Sequence, residues 1–120
     1  MVKYEVKMTQ IGKDAPAYLS SNNSFILLNE KIRPALKDMV VEHTVGELAA
    51  DIVAGDKLKV GKSEFDVVKV GDAANKNLRE EGHCTIVVNQ EATMPGQIGV
   101  KGVRPPRLRF GNEIKFYTEE

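Results

Sequence analysis

Only one cysteine, Cys84, and two histidines, His43 and His83, occur in the 120 residues of the chain. A lone thiol excludes an intramolecular disulfide framework and fits a reducing compartment. Structural zinc sites need four ligands, most often paired at short spacing. His43 stands about 40 positions from His83-Cys84 and there is no second cysteine, so neither a metal nor another cofactor is expected. Charge of one sign is also lacking, because 17 lysines and arginines balance 17 aspartates and glutamates. That balance argues against a dedicated nucleic-acid binder, whose affinity comes from neutralising many phosphates. Apolar runs are only a few residues long, far short of the ~20 that span a bilayer. The opening MVKYEVKMTQIG has no apolar stretch of signal-peptide type. These absences point to a cytoplasmic protein that is not embedded in a membrane, with residues 1–120 forming a single domain.

What the sequence does have is period two. In Val2–Ile11, Val2, Tyr4, Val6 and Met8 alternate with Lys3, Glu5, Lys7 and Thr9, the pattern of a half-buried strand. Ser24–Leu28, Asp38–Val45, His83–Val88, Gln97–Lys101 and Glu113–Thr118 read as further strands. Lys57–Val60 and Ser63–Val70 form a hairpin around Gly61-Lys62. Helical signal is confined to connections. Pro34 limits Glu30–Leu36 to a turn or two, and Gly46–Val53 has room for a single turn. Asp72–Glu81 has Asp72 as candidate N-cap and Gly82 as the left-handed residue beyond its end. Short strands at spacings near ten residues predict an all-β fold, a small closed or partly open β-barrel with one or two short helices in the connections.

Four groups of residues could carry chemistry or binding. Cys84 follows His83 in an apolar strand, where neighbours point to opposite faces, so a buried unreactive thiol fits better than the nucleophile of a hydrolase. His43 shares a predicted strand face with Met39, Val41 and Val45. It is either a core histidine with both nitrogens satisfied or a nucleophile in a shallow apolar depression. A neutral imidazole keeps one free lone pair, and transfer of a phosphoryl group to it needs positioning and charge stabilisation more than covalent machinery. The backbone amides of Gly46 and Glu47, past the strand end, are candidate phosphoryl ligands. Val41, Val45 and Leu48 are candidates for an apolar rim against which a protein partner docks. His83 either assists His43 or is a histidine satisfied at a strand start, and Arg79 is expected to be a solvated surface residue. The stretch from Arg104 to Arg109, three arginines around two prolines, is either a stiff basic arm for an acidic partner or membrane surface, or an extended connection.

The segments Val41-Glu42-His43-Thr44-Val45-Gly46-Glu47-Leu48 and Asn77-Leu78-Arg79-Glu80-Glu81-Gly82-His83 resemble the glucitol/sorbitol-specific enzyme IIA component of the bacterial phosphotransferase system. Thr9-Gln10-Ile11-Gly12 and the Pro95-Gly96 turn fit the same family, and the likeness covers nearly the whole chain. The resemblance implies a β-barrel that acts as a phosphotransferase component through a phosphohistidine. It implies that the phosphocarrier HPr is the donor and that the IIB domain of a membrane sugar permease is the acceptor. It places the phosphoryl group on His43, at Nε2. Some members carry a second histidine two residues further on, where this chain has Val45; His83 is a candidate replacement. The alternative is a regulatory or binding β-barrel of the same fold that carries no phosphoryl group.

Overall fold

The structure, a computed structural model, describes residues 1–119. Eight strands close into a barrel: β1 (Val2–Ile11), β2 (Ser24–Asn29), β3 (Val41–His43), β4 (Lys57–Val60), β5 (Ser63–Val70), β6 (Cys84–Val88), β7 (Gln97–Lys101) and β8 (Glu113–Tyr117). Around the barrel they run in the order β1-β3-β2-β6-β7-β5-β4-β8. Two neighbouring pairs, β2 with β3 and β6 with β7, are parallel, and the rest are antiparallel. Closure leaves no unpaired sheet edge. Two helices, α1 (Ala15–Asn22) and α2 (Ala74–Glu81), lie in connections, with one 3₁₀ turn at Pro34–Leu36. The all-β barrel expected from the strand spacing is the fold observed. No helix among the described residues is long and apolar enough to cross a membrane.

Alternation fills the barrel. Tyr4, Val6 and Met8 of β1 meet Leu58 and Val60 of β4, Phe65 and Val67 of β5, Ile86 of β6, Ile98 and Val100 of β7, and Ile114 and Phe116 of β8 in one core. The start of β1 breaks the expected alternation. Val2 pairs with Tyr117 but Tyr4 with Phe116, so one extra residue stands on β1. This bulge turns Lys3 inward, to 8% exposure, and leaves Val2 outside. The ammonium of Lys3 is satisfied there by the Asp56 carboxylate and the Asp51 carbonyl, both at 2.8 Å.

Other differences from the sequence expectation are local. The third strand is only Val41–His43, not Asp38–Val45, because the chain leaves the sheet on both sides. Segment 46–53 forms no helical turn. Instead it folds Leu48 and Ile52 into the core, while Gly46 packs so tightly on β1 that a Cβ there would stand 2.6 Å from Cγ1 of Val6. Helix α2 starts at Ala74 with Ala73, not Asp72, in the capping position, and ends at Gly82 with φ of +62° as expected. Helix α1 has no counterpart in the sequence reading. It opens with Pro16 in the first turn, buries Ala15 and Leu19, and stops at Asn23, whose φ is +53°.

The pairings sort the connections into two ends of the barrel. Segment 44–56 and the α2 segment 71–83 join strands at one end. The α1 segment, the Gly61-Lys62 turn and segment 102–112 join strands at the other. His43, last residue of β3, therefore sits at the end closed by 44–56 and α2.

Candidate functional site

The site is assembled by parallel pairing. Because β2 runs parallel to β3, Asn29 at the end of β2 lies in register with His43 at the end of β3. From the far side, α2 delivers its C-terminal glycine to the same point. A Cβ built on Gly82 would stand 2.1 Å from Oδ1 of Asn29 and 2.7 Å from Cε1 of His43. Only glycine admits both this approach and the positive φ.

The His43 ring is fully buried, at 0% exposure. Its Nδ1 lies 2.7 Å from the Thr44 carbonyl oxygen and its Nε2 lies 2.9 Å from the Gly82 carbonyl oxygen. A neutral imidazole has one N–H, so it can donate to only one of these; both together need the doubly protonated ring. With the proton on Nδ1 and the Thr44 bond made, the Nε2 lone pair faces the lone pairs of the Gly82 oxygen. The Tyr4 ring stands edge-on to the imidazole with centroids 6.1 Å apart. Among the described residues the buried Tyr4 hydroxyl has no hydrogen-bond partner, and burial, followed by the neighbouring Cys84 thiol, pushes it up to about 12.

The cover over His43 is braced rather than loose. The Asn75 carboxamide of α2 both donates to the Ile52 carbonyl, at 3.0 Å, and accepts from the Ile52 N–H, at 2.8 Å. Arg79 pairs with Asp51, and Arg33 of the β2–β3 connection pairs with Glu81 in the last turn of α2. Asp51 and Ile52 thus hold α2, and Asp56 anchors the same segment below. Burial pushes the Asp56 carboxyl up, but the Lys3 ammonium, the Val53 N–H and the Thr118 hydroxyl outweigh it and hold it below the usual carboxylate range.

The expected site residues divide. Val41 is wholly buried and Leu48 belongs to the core, so of the three rim candidates only Val45, 69% exposed, presents surface. Among the described residues, the N–H groups of Gly46 and Glu47 have no hydrogen-bond partner. The backbone N–H of His83 donates to the Asn77 carbonyl, and its half-buried ring makes no hydrogen bond or ring contact with His43. Cys84 is fully buried, and its thiol is pushed up by burial, which removes the nucleophile a hydrolase would need. Arg79 serves the brace and is not aimed at His43.

Two residues of the site were missed in the sequence. Tyr4 was read as core and nothing more. Asn29 carries the sharper signal: among the described residues its carboxamide has no hydrogen-bond partner, and Oδ1 is buried. A polar residue directly after the apolar run Phe25–Leu28 was the available hint.

Residues 3–115 match the family described as the PTS system glucitol/sorbitol-specific IIA component. Two relatives named PTS system glucitol/sorbitol-specific EIIA component, from Shigella flexneri and Escherichia coli, are each 32% identical over 117 residues. Each alignment covers 96% of this chain and 94% of the relative. The crystal structure of a PTS system IIA component from Enterococcus faecalis has the same fold, with a TM-score of 0.84 at 24% identity. That superposition takes in 95% of this chain and 99% of the other.

Proposed function

Because the chain belongs to the glucitol/sorbitol-specific IIA component family of the phosphotransferase system, phosphoryl carriers of sugar uptake, we propose that it carries its phosphoryl group on Nε2 of His43. HPr is the donor and the IIB domain of a sugar permease is the acceptor. The observation that carries this reading is the Nδ1 contact of His43 with the Thr44 carbonyl, at 2.7 Å. With the proton held on Nδ1, the lone pair is on Nε2, the nitrogen a donor can reach only by displacing the Gly82 carbonyl.

In the forward step the Nε2 lone pair attacks phosphorus, a P–N bond forms, and the bond from phosphorus to HPr breaks with its electron pair leaving to HPr. The second step is the mirror image, with a IIB nucleophile attacking phosphorus and the electron pair returning to Nε2. Neither step is redox and no metal is needed to balance it. The phosphoryl oxygens are received by the free N–H groups of Gly46 and Glu47 and by the Asn29 carboxamide, which lies beside the ring without a partner. The left-handed Gly82, between α2 and β6, is the hinge on which the cover moves. Val45 lies on the exposed rim where a partner would dock. His83 is adjacent in sequence to that hinge, and normal transfer by His83→Ala would remove it from the mechanism.

The full burial of His43 is the observation that favours the other reading, a regulatory or binding barrel with no phosphotransfer. The two part company in a donor assay. Incubation with phosphoenolpyruvate, enzyme I and HPr yields an acid-labile, base-stable phosphoryl linkage under the carrier reading. The binding-barrel reading yields none.

A further inference from the structure

The stretch from Arg104 to Arg109 lies at the barrel end opposite His43, between β7 and β8. It is built rather than floppy: Pro106 and Leu108 turn inward, Leu108 against the core, and the Asn112 carboxamide donates to the Arg107 carbonyl. With the Gly61-Lys62 turn it walls a groove of about 810 Å³. The lining has four cations, Lys62, Arg104, Arg107 and Arg109, against one carboxylate, Glu64. Among the described residues none of the four cations has an ion-pair partner. In a chain of zero net charge this is a local concentration of one sign. The same segment holds Val103, 91% exposed, and Phe110, 79% exposed, on either side of the arginines.

We propose that this end is a docking surface for an anionic phospholipid bilayer, with a headgroup in the basic groove and Val103 and Phe110 reaching the headgroup–acyl boundary. Cations flanked by exposed apolar side chains are the combination that holds a protein at a charged interface. An acidic protein segment would satisfy the cations but gives no comparable reason for two bare apolar side chains beside them. Docked this way, the barrel turns its His43 end away from the bilayer. The proposal does not depend on the chemistry at His43.

The test is sedimentation of the full chain with phosphatidylcholine vesicles made with and without phosphatidylserine. The expected result is partition onto the phosphatidylserine vesicles alone, lost at high salt. Replacing one arginine by glutamine weakens it roughly fivefold, and Arg104→Gln, Arg107→Gln and Arg109→Gln together weaken it about a hundredfold. Phe110→Ser weakens it as well, while Lys76→Gln, on exposed α2 surface at the far end, leaves it unchanged. No partition by the wild type at low salt overturns the proposal. So does an equal loss in Lys76→Gln, which would make the effect one of overall charge. Retention on immobilised polyglutamate with none on vesicles assigns the groove to an acidic protein segment and likewise overturns it.

Discussion

The Gly82 carbonyl oxygen lies 2.9 Å from Nε2 of His43 and covers the nitrogen that the carrier mechanism requires to be open. The contact comes from a residue at positive φ, placed where a helix ends and a strand begins. The carrier role proposed above requires the Gly82–His83 peptide to turn off the nitrogen at this hinge, a turn that also breaks the bond from the His83 N–H to the Asn77 carbonyl.

Gly82→Ala tests that hinge. The new methyl group would overlap Asn29 and the His43 ring and would sit at a φ that alanine adopts at a cost. We expect a loss of stability of at least about 1–2 kcal/mol, measured by urea denaturation. In the surviving folded fraction, phosphorylation slows. Wild-type stability and wild-type rate together would mean that Gly82 does not hold the position described.

Asn29→Ala removes the carboxamide that lies beside the His43 ring and that the proposed mechanism uses to receive the phosphoryl oxygens. Acceptance of the phosphoryl group is expected to slow by about tenfold to a hundredfold, the worth of a hydrogen bond to a charged group. Asn29→Asp keeps the shape but sets a negative charge against the phosphoryl oxygens, so it should be at least as slow. A structural role alone would let the isosteric aspartate recover the rate, and single-turnover kinetics distinguish the two.

Asp56 links stability to pH at the low end. Its folded pKa lies below the ordinary carboxylate value, so the folded state binds the proton less readily than the unfolded chain. The stabilisation is therefore fully present above the usual carboxylate range and is lost as the pH falls through the lower folded value. Asp56→Ala leaves the Lys3 ammonium buried without its partner and should cost about 3–5 kcal/mol at neutral pH. The variant should also show a flatter acid limb in thermal denaturation, and an unchanged limb would contradict the assignment.

Tyr4 acts at the high end with the opposite sign. Its hydroxyl is raised to about 12, so its contribution is present below the ordinary tyrosine value of about 10 and is lost as the pH rises towards 12. Tyrosinate absorbance of the wild type should show a step near 12 that Tyr4→Phe removes. Because the buried hydroxyl has no partner among the described residues, Tyr4→Phe is expected to be neutral or stabilising by up to about 1 kcal/mol. A clear loss of stability would show a hydrogen bond at that hydroxyl.

The barrel was legible because most of it is written in local pattern. Alternation marks β1 and β4, two-residue spacing with Gly61 at positive φ marks the β4–β5 hairpin, and Gly82 marks the end of α2. Helix α1 was not legible because only Ala15 and Leu19 reach the core, too few to set a helical period. The burial of Lys3 was hidden because a bulge moves one residue across the sheet, and single-strand alternation carries no record of it. His43 was singled out as a candidate from residue type and family resemblance, and the structure places it at the barrel end under α2. The meeting of Asn29, His43 and Gly82 was not, since it rests on parallel pairing of β2 with β3 and on a helix arriving from a distant part of the chain.

The most direct test of the account is intact mass of wild type and His43→Gln after incubation with phosphoenolpyruvate, enzyme I and HPr. The account predicts one acid-labile phosphoryl adduct on the wild type and none on the variant. No adduct on a folded wild type, with HPr itself phosphorylated, would contradict the carrier role, and an adduct that persists in His43→Gln would contradict the site.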